Sequence, residues 1–465
     1  MRKYKNSKKN MRNYFGTDGI RGQANTYPMT GETALKVAMA AGTYFKRGKR
    51  RHHVVIGKDT RLSGYMIESS QTAGFISMGM NVYLVGPMPT PAISMLTKSM
   101  RCDVGVMISA SHNSYEDNGI KLFGPDGNKL SDDNEIDIEN IMDDIKNIKL
   151  VESKNLGRAK RIDDAAGRYL EFVKSTFPEP LSLKNMKIII DCANGAAYQV
   201  APRVLWELGA EVITLGCTPD GTNINFKCGS TYPKLMSEAV KKNNADLGIA
   251  LDGDADRCII SDEKGSFING DQLLGIISKR YLKNNLLNNK TIIGTEMTNK
   301  GLENYLNTLG LELERTKVGD RYVIEKMKSF NSNLGGEGSG HIIIGDYGST
   351  GDGLIAALQI IACMKEENRS ASFLRKEVTL FPQFLDSIKY NSSKIFNLQK
   401  NSIINEIRQE TEKKLGENGR ILIRLSGTEK KIRIMGESKQ KKVLDETMKK
   451  FKLRISNLIK EYEKN

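Results

Sequence analysis

Residues 103–123 read DVGVMISASHNSYEDNGIKLF. An apolar run at 104–108 stops abruptly at Ser109-Ala110-Ser111-His112-Asn113. A polar, acidic turn follows, and then Gly119-Ile120-Lys121. A buried strand that ends in serine, histidine and asparagine presents hydroxyl and amide groups at its carboxyl end. That is where open α/β sheets keep their chemistry.

The same grammar extends outward on both sides. Residues 53–57 (HVVIG) form an apolar run that closes in Lys58-Asp59-Thr60-Arg61, with a helical stretch to about Met78. A strand at 82–85 ends in Gly86-Pro87 and Pro89-Thr90-Pro91, and the next strand delivers Ser111. The order then recurs. Residues 187–190 close in Asp191-Cys192-Ala193-Asn194-Gly195, a helix runs through Leu208, 211–215 form a strand, and 247–251 deliver DGDADR at 252–257. A looser third copy starts at 291–294, carries a helix from about Lys300 to Leu309, and delivers GGEGSGH at 335–341. Strands alternating with helices give α/β domains with mixed, largely parallel sheets. Three similar domains are expected, each contributing one loop to a shared cleft.

From about residue 380 the pattern changes to a helix at 403–415, short strands at 420–424 and 432–435, and a long final helix. In that helix Leu444, Met448, Phe451, Ile455, Leu458 and Tyr462 alternate spacings of four and three, which is a core-packing stripe. The expected organisation is a disordered basic tail (1–13), three α/β domains (14–165, 166–265 and 266–379) and a C-terminal α+β domain (380–465).

Composition narrows the function classes. A chain of 465 residues, 39% hydrophobic and 27% charged, suits several domains, because single cores stop growing at about 250–300 residues. Six cysteines without a C-x-x-C pair indicate a reduced, cytoplasmic compartment. No apolar run approaches the ~20 residues that cross a bilayer, so no membrane partner is expected. The formal charge is +15, yet the basic residues are spread along the chain with few interleaved aromatics. That suits small, highly anionic substrates as well as nucleic acid, or simply a solvated surface. Residues 1–13 carry six basic and no acidic side chains and lack the apolar core of a signal peptide.

Asp252, Asp254 and Asp256 are the sharpest chemical feature. Carboxylates at alternate positions share one side of an extended segment, and their mutual repulsion calls for a cation. Oxygen-only ligands suit magnesium, which prefers octahedral geometry at ~2.0–2.1 Å. An EF-hand calcium loop is the alternative, with Glu263 at its twelfth position, but Arg257 stands where that loop demands glycine. Ser111 is the candidate nucleophile. No G-x-S-x-G elbow exists, and His112, its neighbour on what reads as extended backbone, points away and is a poor base. Taken alone, Ser111 also fits a structural serine at a strand end. Arg424, Ser426, Gly427, Thr428 and Arg433 form a good dianion site of hydroxyls, loop amides and guanidinium groups. Glu337 and Ser339, between glycines, offer an acceptor and a hydroxyl of the kind that sugar hydroxyls need. Residues 14–22 (YFGTDGIRG) read as a glycine-rich loop whose amides and Arg21 suit an anion, or as a plain turn.

SASHN, DNGIK, DGDADR, GEGSGH and RLSGTE, in that order, resemble the α-D-phosphohexomutase superfamily. FGTDGIRG and IGKDTRLSGYM look most like its bacterial phosphoglucosamine mutase branch, and the similarity spans nearly the whole chain after residue 13. The resemblance implies three related α/β domains and a fourth of TATA-binding-protein-like topology. It implies an isomerase that interconverts glucosamine 6-phosphate and glucosamine 1-phosphate through a 1,6-bisphosphate, on the route to UDP-N-acetylglucosamine and peptidoglycan precursors. Ser111 would be carried as phosphoserine, with one Mg2+ held by that phosphate and Asp252, Asp254 and Asp256. Glu337 and Ser339 would grip sugar hydroxyls, while Arg424, Ser426, Gly427, Thr428 and Arg433 would hold the non-reacting phosphate. Arg257 and Gly319 join the substrate site, and Arg21, Lys121 and His341 take charge-stabilising or proton-transfer roles. The implied partners are sugar phosphates, not nucleic acid or membrane, and the implied assembly is a monomer or homodimer. Ser114 and Leu425 stand where the family usually has proline. Gly338 replaces a glutamine typical of the glucosamine branch, which keeps a neutral hexose phosphate as the alternative substrate.

The folded pattern begins at Tyr14, so Met11 is the expected initiator. Intact-mass analysis of the native protein checks this: a chain that retains residue 2 would place the start at Met1.

Overall fold

The computed structural model describes residues 12–16, 18–390, 402–416, 419–425 and 430–464. The chain divides into two compact units, Met1–Thr295 with Leu313–Glu377, and Glu296–Glu312 with Val378–Asn465.

The first unit is built on strands that leave toward one end of each sheet and return antiparallel. A seven-stranded sheet has the order Phe15–Gly16, Gly19–Gln23, Asp117–Phe123, Val104–Ile108, His52–Lys58, Met80–Pro87, Ala159–Arg161. From Val104–Ile108 to Ala159–Arg161 the strands are parallel; toward Phe15 they are antiparallel. Every residue of Val104–Ile108 is buried, as helices on both faces require of a parallel strand. The second sheet repeats the device, with Glu211–Leu215, Lys187–Asp191 and Leu247–Leu251 parallel and Cys258–Asp262 returning antiparallel. In the third sheet, Leu334–Gly336 runs parallel to Thr291–Thr295 and Ile342–Ile344 returns against it. Each loop singled out for chemistry is therefore the connection between a parallel strand and its antiparallel neighbour.

Residues 14–22 are not a free loop. Phe15–Gly16 and Gly19–Gln23 pair as a hairpin, and Gly19–Gln23 then pairs with Asp117–Phe123. Burial drives this, with Phe15 and Ile20 in the core. Gly19 has φ 78°, and a Cβ there would lie 2.3 Å from Ile120 O, so only glycine fits. Arg21 is thereby mounted on a strand rather than in an amide cradle.

In the second unit, Gln383–Lys389, Lys431–Glu437 and Arg420–Leu425 form an antiparallel sheet covered by helices Ser402–Leu415 and Lys441–Lys464. Leu444, Met448, Phe451, Ile455 and Leu458 are buried in its core, as their spacing predicts. The side chain of Tyr462 lies outside the described residues. Helix Lys300–Thr308, which the sequence pattern assigns to the third copy, groups with this unit. The reason is a local clamp: Asn299 exchanges hydrogen bonds with the Phe381 backbone, and Arg420 donates to the Glu296 and Thr298 carbonyls at 2.9 Å each. No helix among the described residues is long and apolar enough to cross a membrane.

Residues 1–11 lie outside the described residues, and so do the tail's first eleven positions and Met11. Arg12 and Asn13, expected in the tail, are held instead. Arg12 pairs with Glu135 at 2.7 Å, and the Asn13, Tyr14 and Phe15 amides all donate to the buried Glu139 carboxylate at 2.7 Å. A carboxylate that accepts several backbone amides makes hydrogen bonds worth about 1.5–3 kcal/mol each. In Glu139→Gln the Tyr14 and Phe15 amides are expected to exchange roughly ten- to a hundredfold faster. Hydrogen–deuterium exchange checks this, and unchanged protection would remove Glu139 as the anchor.

Candidate active site

Ser111 is buried at the point where the first and second sheets meet, and its Oγ donates to Asp252 Oδ2 at 2.7 Å. The backbone at Ser111 is not extended: φ is 52°, in the left-handed region. Such a conformation costs of order 1–3 kcal/mol and persists only when its surroundings over-determine it. Here they do. Arg61 donates to the Ser111 and Asn113 carbonyls at 3.1 and 2.7 Å, and Asn225 donates to the same two carbonyls at 2.9 Å each. The turn also corrects the reading of His112, whose Nδ1 lies 3.3 Å from Ser111 Oγ. Burial and the nearby Arg257 and Arg21 push the His112 imidazole down to about 4. It is neutral at pH 7 and a weak proton acceptor, so it remains a poor base for a different reason.

Asp252, Asp254 and Asp256 converge, with one oxygen from each within 4.8 Å of the others. All three are buried. Burial, then repulsion by Asp256 and Asp254, pushes the Asp252 carboxyl well above its ordinary value. Burial works the same way on Asp256, but His341, Lys121 and Arg257 outweigh it and hold that carboxyl well below the usual range. Asp254 Oδ2 accepts from Thr90 Oγ1 at 2.5 Å and from Lys121 Nζ at 2.8 Å. Asp254 Oδ1 and Asp256 Oδ1 are buried without a hydrogen-bond partner. Orphaned oxygens beside a serine hydroxyl fit a hard divalent cation such as magnesium. The EF-hand alternative fails here, because Leu247–Leu251 and Cys258–Asp262 are strands and Glu263 accepts instead from the Ser372 amide.

Cations crowd the same cleft. Lys121 Nζ, fully buried, also lies 3.2 Å from Asp18 Oδ2, and Arg21 pairs with Asp18. Burial opposes the Lys121 charge, but Asp18 and Asp254 raise its pKa and keep it protonated. Arg257 places its Nε 3.7 Å from Asp256 Oδ1, and its guanidinium is one-quarter exposed. In the third loop, Glu337 accepts from the Gly319 amide at 2.9 Å and from Ser339 Oγ at 3.2 Å. Ser339 is exposed and Glu337 half-buried, so both remain reachable.

His341 faces the other way. Its Nδ1 is 3.5 Å from Asp256 Oδ2, and its Nε2 accepts from the Gly351 amide at 3.0 Å. A Cβ on Gly351 would lie 2.7 Å from the imidazole, so the ring is seated on bare backbone. Both ring nitrogens are in use, and although burial opposes the imidazolium, Asp256 beside Nδ1 raises its pKa.

The second unit carries the remaining expected residues. Arg424 and Arg433 are register partners on adjacent strands, which places two guanidinium groups on one stretch of sheet. Ser426, Gly427 and Thr428 lie outside the described residues. Sequence reasoning placed Arg61 and Thr90 at polar strand ends without giving them a role, and it passed over Asn225 and Lys129, which reach the site from distant segments that no local pattern marks.

Profiles of the phosphoglucomutase/phosphomannomutase alpha/beta/alpha domains I, II and III match residues 12–149, 167–265 and 269–381, and the C-terminal domain matches 388–453. The phosphoglucosamine mutase of Parvibaculum lavamentivorans is 57% identical over 93% of this chain and 96% of its own. That of Caulobacter vibrioides is 56% identical over 92% and 95%. A phosphoglucomutase/phosphomannomutase family protein of Burkholderia thailandensis shares the fold, with a TM-score of 0.78, 22% identity and coverage of 95% and 97%. The chain belongs to the phosphoglucomutase/phosphomannomutase family of the α-D-phosphohexomutase superfamily and is a phosphosugar mutase.

Proposed function

We propose that this mutase interconverts glucosamine 6-phosphate and glucosamine 1-phosphate, with Ser111 carried as a phosphoserine. The observation that carries the reading is the buried contact of Ser111 Oγ with Asp252, inside a cluster of carboxylates faced by Lys121. The choice of the amino sugar rests on the relatives named phosphoglucosamine mutase at 57% and 56% identity.

In this reading O1 of the sugar attacks phosphorus as the phosphorus–Ser111 Oγ bond breaks, the O1 proton ending on the freed serine hydroxyl, which gives a 1,6-bisphosphate. Ser111 Oγ then attacks the 6-phosphate as the O6–phosphorus bond breaks, and the serine proton ends on O6. Magnesium held by Asp252, Asp254, Asp256 and the serine phosphate would neutralise charge on the transferring oxygens. Lys121 and Arg21 add fixed positive charge, so catalysis is mostly positioning and electrostatics. Glu337 and Ser339 orient sugar hydroxyls beside Gly319 and Arg257, and Arg424 and Arg433 bind phosphate. His341 supports Asp256 from behind. Burial of Ser111 excludes water, which otherwise would drain the phosphoenzyme. The reading places the enzyme in the cytoplasm with sugar phosphates as its partners.

A second substrate class stays in view because of Gly338. A Cβ there would meet Asp271 Oδ2 at 3.1 Å, so the glutamine usual in the glucosamine branch does not fit without a shift. A coupled assay that compares glucosamine 6-phosphate, mannose 1-phosphate and glucose 1-phosphate decides between them. Glucosamine 6-phosphate is expected to give the highest kcat/KM; a preference for either neutral hexose would overturn the amino-sugar reading.

Ser111→Ala is expected to lose turnover while keeping the wild-type fold by circular dichroism, and wild-type-like turnover would remove Ser111 from the chemistry. Asp254→Asn deletes a ligand charge. Losing even a residue that supports a metal ligand costs roughly 10–100-fold in affinity, so at least that rise in the magnesium requirement is expected. Indifference to a chelator would count against the metal loop.

A further inference from the structure

Buried and half-buried charges of the first unit close into a ring. Lys121 Nζ lies 3.2 Å from Asp18, 2.8 Å from Asp254 and 4.0 Å from Asp256. Asp18 Oδ1 accepts from Lys129 Nζ at 2.5 Å, and Lys129 also pairs with Asp320. Asp320 Oδ2 is 3.8 Å from His341 Nε2, and His341 Nδ1 is 3.5 Å from Asp256. Each of the three sheets' loops and edges supplies a member, and Lys129 is the only one with no place in the proposed chemistry that still touches two carboxylates. It is buried, with 7% of its side chain exposed.

Asp18 is the weak point of the ring. Its carboxylate is shared by Arg21, Lys121 and Lys129. Lys121 is likewise shared, between Asp18 and the metal-loop carboxylates. Two unit charges 3–4 Å apart in a buried site interact by several kcal/mol, so removing one cation from Asp18 strengthens its pull on those that remain. We propose that Lys129 is a positioning residue: by neutralising Asp18 and Asp320 together, it leaves Lys121 to sit on Asp254 and His341 to sit on Asp256. Without Lys129, Lys121 shifts toward Asp18 and away from the transferring phosphoryl group. The aspartate triad then loses positive charge nearby.

This inference rests on the proposed metal and phosphoserine roles, and it has a signature that simple structural damage lacks. Damage weakens turnover and metal binding together. Loss of Lys129 instead lowers turnover while the more negative triad binds the cation more tightly. The experiment uses the full chain. Steady-state kinetics give kcat and KM, and calorimetric titration of the resting protein with MgCl2 alone gives the metal Kd. Lys129→Gln is expected to lower kcat at least about tenfold with KM within about twofold, the pattern of an interaction felt mainly in the transition state. Its magnesium Kd is expected to fall by about threefold or more. Lys129→Arg keeps the charge and stays near wild type on both measures. Asp18→Asn in the Lys129→Gln background removes the competing carboxylate, restores part of the lost kcat, and carries one fewer charge of each sign should the single variant fold poorly.

Wild-type kcat in Lys129→Gln overturns the proposal. A kcat loss accompanied by weaker magnesium binding and no recovery in the double variant also overturns it. A wild-type chain that turns over without binding magnesium would instead refute the functional reading beneath it.

Discussion

The structure depends on a single electrostatic constraint: carboxylates from three sheets crowd together, four of the five buried, and none can remain so uncompensated. Taking an ion out of water costs several kcal/mol unless a partner or a metal repays it. Asp252, Asp254, Asp256, Asp18 and Asp320 meet this with Lys121, Lys129, Arg21, Arg257 and His341, and two carboxylate oxygens are still left over. That remainder is what lets the cluster hold a cation, where a closed set of ion pairs would leave no oxygen free for one.

The same constraint explains the division of labour among the histidines. Asp256 draws His341 Nδ1 toward it, and the Gly351 amide occupies the other nitrogen, so the ring braces the Asp256 carboxylate. His112 lies beside Ser111, but partial burial and the nearby Arg257 and Arg21 keep it neutral and a weak proton acceptor, while His341 faces away. The Ser111 hydroxyl donates instead to Asp252, across the join between the first and second sheets.

Left-handed backbone recurs along the chain, mostly at asparagines, and two of the residues that adopt it without being Asn or Gly lie in the loops of the candidate site. Ser111 and Ala255 both take positive φ in the loops that connect a parallel strand to its antiparallel return. At Ser111 the surrounding hydrogen bonds from Arg61 and Asn225 hold the strained geometry. Arg61 illustrates the cost of supplying those bonds. It is fully buried, pairs with Asp59, and spends its remaining donors on the Ser111 loop.

Much of this was legible in the chain itself. Apolar runs ending in polar clusters, repeated three times, specify parallel α/β sheets with chemistry at the strand ends, because a strand covered on both faces must be apolar throughout. Asp252, Asp254 and Asp256 are adjacent in sequence, so their convergence follows from local geometry, and the spacing of Leu444, Met448, Phe451 and Ile455 specifies a buried helix face. What only the tertiary structure decided is which distant groups meet. The left-handed turn at Ser111 is imposed by Arg61 and Asn225, Lys129 reaches Asp18 across 111 residues and Asp320 across 191, and residues 14–22 become a hairpin because Asp117–Phe123 offers them an edge. Local sequence carries periodicity and turn chemistry, whereas charge pairing acts through space between residues that share no pattern along the chain.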